Sequence, residues 1–201
     1  MYYVVYDNFL RADEFGRLKG YLGPDGEFPW KLGSRINNND QRNDDMYLAT
    51  NIYHAYHGWA NHFNSEILEA IDAISSKLHI EALFRIKANM YFPSHIGKVV
   101  HHAPHIDADF KHQGALFFLT TCDAPTTMAD GTPIESIENR LLLFDPVTNH
   151  SSSSPTNAPF RQTINFNYFG AGIHKGYKDR MISPIPILSK NAEKLDEFWV
   201  K

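Results

Sequence analysis

The sequence predicts a mainly β fold with flanking helices, and three observations support this prediction. From about residue 82 onward, short runs of β-forming residues are separated by turn signals. Helical periodicity is confined to two segments nearer the N-terminus, and no internal repeat or linker divides the 201 residues. We therefore expect a single domain over residues 1–201, in which a strand and helices over about 1–81 support a jelly roll, or double-stranded β-helix, over about 82–188.

The N-terminal part is expected to contain one strand and two helices. Residues 2–6 are rich in β formers, and a helix over Phe15, Leu18 and Leu22 should end at Gly23. The second helix should begin at the N-cap Asn64, with Glu66 and Glu69 near its positive end. Its apolar stripe comprises Ile67, Leu68, Ile71, Ile74 and Leu78. Residues 33–46 offer almost nothing apolar to bury, which predicts a loop.

Nine β-type segments follow. They are 83–92, 98–103, 114–121, 125–129, 133–137, 140–144, 149–153, 161–169 and 180–187. Asp130-Gly131 predicts a hairpin turn, because this dipeptide readily adopts the positive φ angles that a tight antiparallel connection needs.

Two of these segments have one polar and one apolar face. Strand alternation places Arg85, Lys87, Asn89 and Tyr91 opposite Ile86, Ala88, Met90 and Phe92. It likewise places Arg161, Thr163, Asn165 and Asn167 opposite Gln162, Ile164, Phe166 and Tyr168. A polar strand face is commonly a solvated one. If both faces instead point into one cavity, they would line a pocket for an anionic small molecule.

The candidate metal ligands are His105, Asp107 and His150. Side chains two residues apart on an extended segment project to the same side, so His105 and Asp107 can bind one ion. Two imidazoles and one carboxylate can occupy one face of an octahedron and leave positions free, as in non-haem iron(II) oxygenases. His150 follows an apolar strand and precedes Arg161 by eleven residues.

The order of these elements resembles that of the 2-oxoglutarate- and iron(II)-dependent dioxygenases, especially small prolyl-hydroxylase-like members. The likeness covers roughly residues 83–170 in detail. It implies that His105, Asp107 and His150 bind iron(II), and that 2-oxoglutarate and dioxygen are co-substrates. It also implies that Arg161 pairs with the distal carboxylate of 2-oxoglutarate, with Thr163 in support, and that Tyr91 hydrogen-bonds the co-substrate. Asn89 matches the Asn-x-Tyr pair of the alkylation-repair branch.

The resemblance implies hydroxylation of a C–H bond in a prolyl or other protein side chain, or in a small molecule. Independently of it, an arginine fork suits a planar carboxylate better than a lysine does. Two alternatives stay open: a cupin-like protein that binds zinc or manganese, and a non-enzymatic jelly roll in which the histidines are structural. Cupins would be expected to show a His-x-His pair with a following glutamate, which this chain lacks.

Other residues compete for the metal site. His101, His102, His112 and His174 are alternative imidazoles among 11 histidines, and Asp109 shares the alternation of Asp107. Cys122 is the single cysteine, so we expect no disulfide framework and a core or edge position for its thiol.

Composition narrows the functional classes. A net charge of -4 makes dedicated nucleic-acid binding unexpected, and no apolar run is long enough to cross a bilayer. The N-terminus lacks a signal-peptide pattern, so we expect a soluble, cytoplasmic protein.

Overall fold

The computed structural model describes residues 3–33, 47–60 and 65–173. Within these ranges the chain forms two helices among short and long antiparallel strands. In chain order they are β1 (Tyr3–Tyr6), α1 (Ala12–Leu22), β2 (Lys31–Leu32), β3 (Tyr47–His54), β4 (Gly58–Trp59), α2 (Ser65–Ser75), β5 (Leu78–Tyr91), β6 (Val100–His101), β7 (Gln113–Phe118), β8 (Cys122–Met128), β9 (Pro133–Ser136), β10 (Arg140–Phe144), β11 (His150–Ser151), β12 (Ser153–Ser154) and β13 (Arg161–Ile173).

A large antiparallel sheet organises the described chain. Its strand order is β1-β10-β7-β13-β5-β3-β2, and β4 pairs with β3 at one edge. Two smaller sheets, β11-β8-β9 and β12-β6, complete the structure. This mainly β arrangement with two helices confirms the predicted jelly roll with supporting N-terminal helices.

The main core lies between the large sheet and the helices. The apolar sides of β5 and β13 supply the fully buried Ile86, Ile164 and Phe166 to it. Leu18 and Leu22 of α1 pack against this layer, as do Ile67, Ile71 and Ile74 of α2. Burying one such aliphatic side chain stabilises the fold by about 1.5–3 kcal/mol, so this layer holds the large sheet against the helices.

A second apolar cluster lies on the other side of the large sheet. Phe118, Leu142 and Phe144 from the large sheet pack here with Met128 and Ile134 from β8 and β9. Along β10, Leu141 and Leu143 belong to the helix-side core while Leu142 and Phe144 belong to this second cluster. The large sheet is therefore covered on both faces, by the helices on one side and by residues of β8 and β9 on the other.

Several local predictions are confirmed. Helix α1 follows the predicted spacing and ends before Gly23. The hairpin between β8 and β9 turns at Asp130-Gly131, where Gly131 has a φ of +82° and the Met128 N–H donates to the Thr132 carbonyl at 2.9 Å. Cys122 is a half-buried free thiol at the first residue of β8, which is the central strand of its three-stranded sheet.

Other predictions need correction. The helical spacing places Leu78 on the apolar stripe of the second helix, but α2 ends at Ser75 and Leu78 begins β5. Pairing with β13 over its whole length extends β5 past the predicted start, so long-range hydrogen bonds override the local helical spacing. Leu68 is 39% exposed and therefore lies outside the buried stripe. Strand β3 carries no matching prediction at all.

Some predicted features lie outside the described residues. They are most of the loop 33–46, the N-cap Asn64, the strand 180–187 and the alternative ligand His174. The division into one domain over 1–201 stays a prediction.

Candidate metal centre

His105 and His150 are held opposite each other by a pair of backbone hydrogen bonds. The His105 N–H donates to the His150 carbonyl, the His150 N–H donates to the His105 carbonyl, and both bonds are 3.0 Å long. The two imidazole centroids are 4.7 Å apart. The Asp107 N–H donates to the Pro146 carbonyl at 2.9 Å, which anchors the third side chain to the segment that leads into β11. Residues 43 positions apart in sequence, Asp107 and His150, therefore meet at one place.

The three side chains converge on a common point. One ligand atom from each of His105, Asp107 and His150 lies within 4.8 Å of the other two. Nε2 of His150 is 4.0 Å from Oδ1 of Asp107. Among the described residues, no other group of three or more His, Cys, Asp or Glu side chains brings its ligand atoms this close together. The geometry suits one cation bound by two imidazoles and a carboxylate.

The carboxylate of Asp107 is ionised and firmly oriented. Nη2 of Arg85 donates to Oδ1 at 3.0 Å, Nδ2 of Asn167 donates to Oδ2 at 2.8 Å, and Nδ2 of Asn165 reaches both oxygens at 3.1–3.2 Å. Burial alone would raise the pKa of Asp107, but His150, Arg85 and the two asparagines outweigh it and lower the pKa to about 2. A ligand carboxylate held by outer hydrogen bonds in this way is typical of metal sites.

Both imidazoles present lone pairs suited to a metal. Nδ1 of His150 lies 3.0 Å from the Thr148 carbonyl, so this nitrogen carries the proton and donates it, which leaves Nε2 as an acceptor. Nδ1 of His105 is buried and has no hydrogen-bond partner. Burial, and then the neighbouring His150, lower the pKa of His105 to about 4. His105 is therefore neutral at pH 7, the form that binds metals.

Arg161 lies fully buried at one end of the same cavity. Its Nη2 donates to Oγ1 of Thr126 at 2.7 Å, while Nε and Nη1 have no hydrogen-bond partner. The guanidinium also lies over the rings of Tyr91 and Phe118, at 5.5 and 5.6 Å from their centroids. A buried cation with unsatisfied N–H groups is costly, so this site is built for an anion that the described chain does not itself supply.

The other predicted co-substrate residues line the same narrow cavity. Asn89, Tyr91 and Thr163 lie beside Arg161, His105 and His150. Tyr91 stacks on Tyr47 at a centroid separation of 5.1 Å, and the Tyr47 hydroxyl donates to Oδ1 of Asn89 at 2.6 Å. Asn89 is thus already engaged through its carbonyl oxygen.

The two polar strand faces belong to this cavity rather than to solvent. In the β5–β13 register, Tyr91 pairs with Arg161, Asn89 with Thr163, Lys87 with Asn165, and Arg85 with Asn167. The apolar sides of both strands face the helices. Of the two possibilities, a solvated face and a shared pocket, the structure shows the second for Asn89, Tyr91, Arg161, Thr163 and Asn165, which line the cavity.

The competing histidines do not join the triad. His102 is buried, and its ring nitrogens contact Oγ of Ser152 at 2.7 Å and Oγ of Ser154 at 3.1 Å. Nδ1 of His112 lies 2.7 Å from the Phe110 carbonyl and its Nε2 is 3.2 Å from Nδ2 of Asn167. His101 and Asp109 are exposed.

Strand alternation places Arg85, Asn165 and Asn167 on the polar faces but predicts no contact with Asp107. The sequence also gives no sign of Thr126 as the partner of Arg161, because β8 shows only a short β-type run. For Arg85, Asn165 and Asn167, the alternation of side chains along a strand was the sequence feature that placed them on the polar faces. The partner of Arg161 depends on how the smaller sheet packs, which sequence spacing does not encode.

No helix of the described chain is long and apolar enough to span a membrane.

Solved structures share this architecture. A prolyl hydroxylase from Trichoplax adhaerens, solved with a hypoxia inducible factor oxygen degradation domain peptide fragment, is 18% identical and has a TM-score of 0.57 over 83% of each chain. A prolyl-4-hydroxylase from Pseudomonas putida is 14% identical, with a TM-score of 0.52 over 84% of this chain and 92% of that one. A non-heme alpha ketoglutarate dependent carbocyclase from nogalamycin biosynthesis is 13% identical, with a TM-score of 0.52 over 90% and 87%.

At these identities the likeness establishes the fold. No protein-family model and no curated protein matches the sequence. The chain therefore has the jelly-roll fold found in these hydroxylases and alpha ketoglutarate dependent enzymes.

Proposed function

We propose that this chain, which has the fold of the 2-oxoglutarate- and iron(II)-dependent oxygenases, is itself an oxygenase of this class that hydroxylates a C–H bond of its substrate. One observation carries the proposal. His105 and His150 of a His-Asp-His group that suits a divalent metal line the same cavity as a fully buried arginine with two unsatisfied N–H groups. The first needs a cation and the second needs an anion.

The residues present fit iron(II). His105 offers a neutral imidazole, His150 directs Nε2 away from the Thr148 carbonyl that Nδ1 contacts, and Asp107 offers an ionised carboxylate whose direction Arg85 and Asn167 fix. A 2-His-1-carboxylate face leaves the opposite positions open, which suits co-substrate and dioxygen better than a closed structural site. A small residue in place of Asp107 would open a position for halide, so the carboxylate favours hydroxylation over halogenation.

The residues at the other end fit 2-oxoglutarate. Nε and Nη1 of Arg161 can donate to a carboxylate in the fork geometry that arginine favours. Thr163 lies one pleat further along β13 and supports the same carboxylate, while Tyr91 and Asn89 border the space toward the triad. When bound, iron(II) and 2-oxoglutarate supply the oxidising chemistry, in which dioxygen is consumed and succinate and carbon dioxide are released. The chain contributes binding, orientation and exclusion of water.

A peptide or protein side chain is the first substrate to test. The Trichoplax adhaerens enzyme was solved with a peptide, and its chain superposes over most of this one. A small molecule is the second class to test, since the carbocyclase shares the fold to a similar degree.

Anaerobic reconstitution tests the proposal. The protein is loaded with iron(II) under nitrogen and titrated with 2-oxoglutarate, and the visible charge-transfer band of the iron–keto acid pair is recorded. We expect the band to form and succinate to accumulate after oxygen is admitted. Elemental analysis identifies the metal and separates this function from a cupin-like zinc or manganese protein.

Matched variants make the experiment specific. His150→Ala should abolish the band, and Arg161→Met should abolish its response to 2-oxoglutarate. His101→Asn changes an exposed histidine outside the triad and should leave both intact. A folded wild-type protein that binds no iron(II), or binds it without forming the band, would contradict the proposal.

A further inference from the structure

Lys87 is a half-buried cation on the cavity side of β5 for which the proposed reaction assigns no role. It lies between Arg85 and Asn89 on the same side of the strand and pairs in register with Asn165, which donates to Asp107. Its Nζ lies 5.3 Å from the centroid of the Tyr47 ring. The side chain is thus half-buried and lies over the Tyr47 ring.

Lys87 has no anionic partner of its own among the residues that the structure describes. It interacts electrostatically with Arg85, which repels it, and with Asp107, which attracts it but is already committed to Arg85 and the two asparagines. Burial and Arg85 lower the pKa of Lys87 to about 8, so the side chain still carries its charge at pH 7. A desolvated ammonium without a counter-ion is costly to keep.

The charges on the site face are unbalanced. In the described part of the chain, three cations, Arg85, Lys87 and Arg161, lie on the polar side of β5 and β13, where Asp107 is the one carboxylate that contacts the asparagines of β13. A divalent metal and the dianionic co-substrate would cancel each other, so the loaded site keeps an excess of positive charge. Such a site favours a negatively charged ligand in the remaining space.

The backbone of Lys87 is separated from the residue that pairs with Arg161. Tyr91, which pairs with Arg161, is four residues along β5 from Lys87, a distance of about 13 Å on an extended strand. Lys87 instead lies within electrostatic range of His105 and Asp107. Its backbone therefore lies beside Asn165, which supports Asp107, while its Nζ lies over the Tyr47 ring.

We infer that Lys87 is a specificity-determining residue that holds an anionic group of the primary substrate, a carboxylate or another oxyanion, next to the metal centre. This inference rests on the proposed function and names the charge class of its substrate. A lysine ammonium is a point charge with rotatable donors, which suits a tetrahedral or planar oxyanion equally.

Paramagnetic relaxation tests the inference without turnover. The protein is loaded with Mn²⁺ and N-oxalylglycine, an unreactive co-substrate analogue that occupies the Arg161 end. Two pairs of probes are then added: methanesulfonate with dimethyl sulfone, and N-acetyl-aspartate amide with N-acetyl-asparagine amide. Relaxation of the probe protons reports which molecules bind near the metal, and sulfonate is a poor metal ligand, so direct coordination is avoided in that pair.

In the wild type, we expect the paramagnetic relaxation rate of the protons of each anionic probe to be at least fivefold higher than that of its neutral isostere. Lys87→Gln should reduce this ratio to about one, Lys87→Arg should retain it, and Lys98→Gln, which removes an exposed lysine, should leave it unchanged. Equal relaxation within the pairs, or a preference that survives in Lys87→Gln, would overturn the inference.

A separate measurement distinguishes this inference from the proposed function. The Kd of N-oxalylglycine for the Mn²⁺ form should change less than threefold in Lys87→Gln. A loss of tenfold or more would assign Lys87 to the co-substrate and overturn the inference alone. Absence of Mn²⁺ and N-oxalylglycine binding in the wild type would overturn the proposed function together with it.

Discussion

Arg85 and Asp107 form an ion pair inside the site, with Nη2 of Arg85 donating to Oδ1 of Asp107 at 3.0 Å and the Asp107 side chain only 3% exposed. Oδ1 is also the oxygen that lies 4.0 Å from Nε2 of His150. The same carboxylate oxygen therefore faces both a guanidinium and the place where a metal would lie. Arg85 fixes the direction of the candidate ligand in the absence of metal.

Replacing Arg85 should destabilise the metal-free protein. Arg85→Gln removes a charged donor from a buried carboxylate, and because Asn165 and Asn167 still donate to it, we expect the free energy of unfolding at pH 7 to fall by about 2 kcal/mol. Urea denaturation measures this loss. Arg17→Gln, which breaks an exposed and solvent-screened pair with Asp13, should leave the stability nearly unchanged, and equal losses in both variants would contradict the assignment.

The pH dependence of stability in Arg85→Gln follows from the lowered pKa of Asp107. The pKa of Asp107 is about 2, below its ordinary value, so its contribution to stability is present above that ordinary value and is lost as the pH falls toward 2. Arg85 is one cause of the low pKa, and its removal raises the pKa. The pH at which stability begins to fall is set by the unfolded chain and should be the same in both proteins, but Arg85→Gln should lose less stability than the wild type as the pH falls further toward 2, which urea denaturation across a pH series measures.

Replacing Arg161 should weaken binding of the co-substrate analogue without lowering the stability of the metal-free protein. Arg161→Met removes a fully buried cation without a carboxylate partner, so the metal-free protein should melt at the same temperature or higher. The affinity of the Mn²⁺ form for N-oxalylglycine should fall at least about 100-fold, since charge-assisted hydrogen bonds contribute about 1.5–3 kcal/mol each. Calorimetric titration measures this affinity.

Thr126→Val is the matched milder change. It removes the hydroxyl that accepts from Nη2 of Arg161 at 2.7 Å and keeps the shape of the side chain. We expect a loss of about threefold to tenfold in the same titration, because the guanidinium stays but loses one of its orienting contacts. A stronger effect for Thr126→Val than for Arg161→Met would rule out the proposed role of Arg161.

The metal-free protein should lose stability in mildly acidic solution because of His105. The pKa of His105 is about 4 in the folded state, below the ordinary value of about 6.5, so the unfolded chain binds more protons between these two values. Stability should therefore fall as the pH drops from about 6.5 to about 4, by up to about 3 kcal/mol. His105→Asn should flatten this slope when unfolding is followed in the presence of a chelator. His101→Asn serves as the control and should keep the wild-type slope.

Two glycines should respond in opposite ways to alanine. Gly16 lies within α1, and a Cβ added there would have no atom within 4 Å, so Gly16→Ala should stabilise the protein by about 0.5–1 kcal/mol through helix propensity. Gly170 in β13 has a φ of +155°, and a Cβ there would lie 1.8 Å from the His79 carbonyl oxygen. Gly170→Ala should lower the melting temperature by several degrees. Thermal unfolding of both variants checks the pair, and a stabilised Gly170→Ala protein would contradict the strand geometry.

The alternation of side chains along a strand explains which part of the candidate site could be predicted from the sequence. Side chains alternate strictly across a strand, so the run from Arg85 to Tyr91 determined one polar face whatever its partners were. Buried apolar residues on the opposite side, such as Ile86 and Ile164, fixed that side to the helices. The same argument placed Arg161 on the face that carries the asparagines.

The rest depended on contacts that sequence spacing does not contain. The Tyr47 hydroxyl donates a hydrogen bond to Asn89, and the Tyr47 ring stacks on Tyr91. Strand β3, which carries Tyr47, was not predicted because its sequence lacks a clear alternating pattern. Leu78 fits a helical stripe as well as a strand, and only its pairing with Ile173 decides between them. Such choices are made by tertiary hydrogen bonding and packing rather than by local propensity.

Strand β13 carries Arg161 at its start and Asn165 and Asn167 further along, all on one side. Inserting a single residue ahead of Asn165 would rotate both asparagines toward the helices while leaving the guanidinium in place. The proposed co-substrate anchor and the residues that orient the candidate ligand Asp107 therefore depend on one continuous side-chain alternation along β13. Evolution can retune either function by point substitution, but a change in the length of this strand would uncouple them.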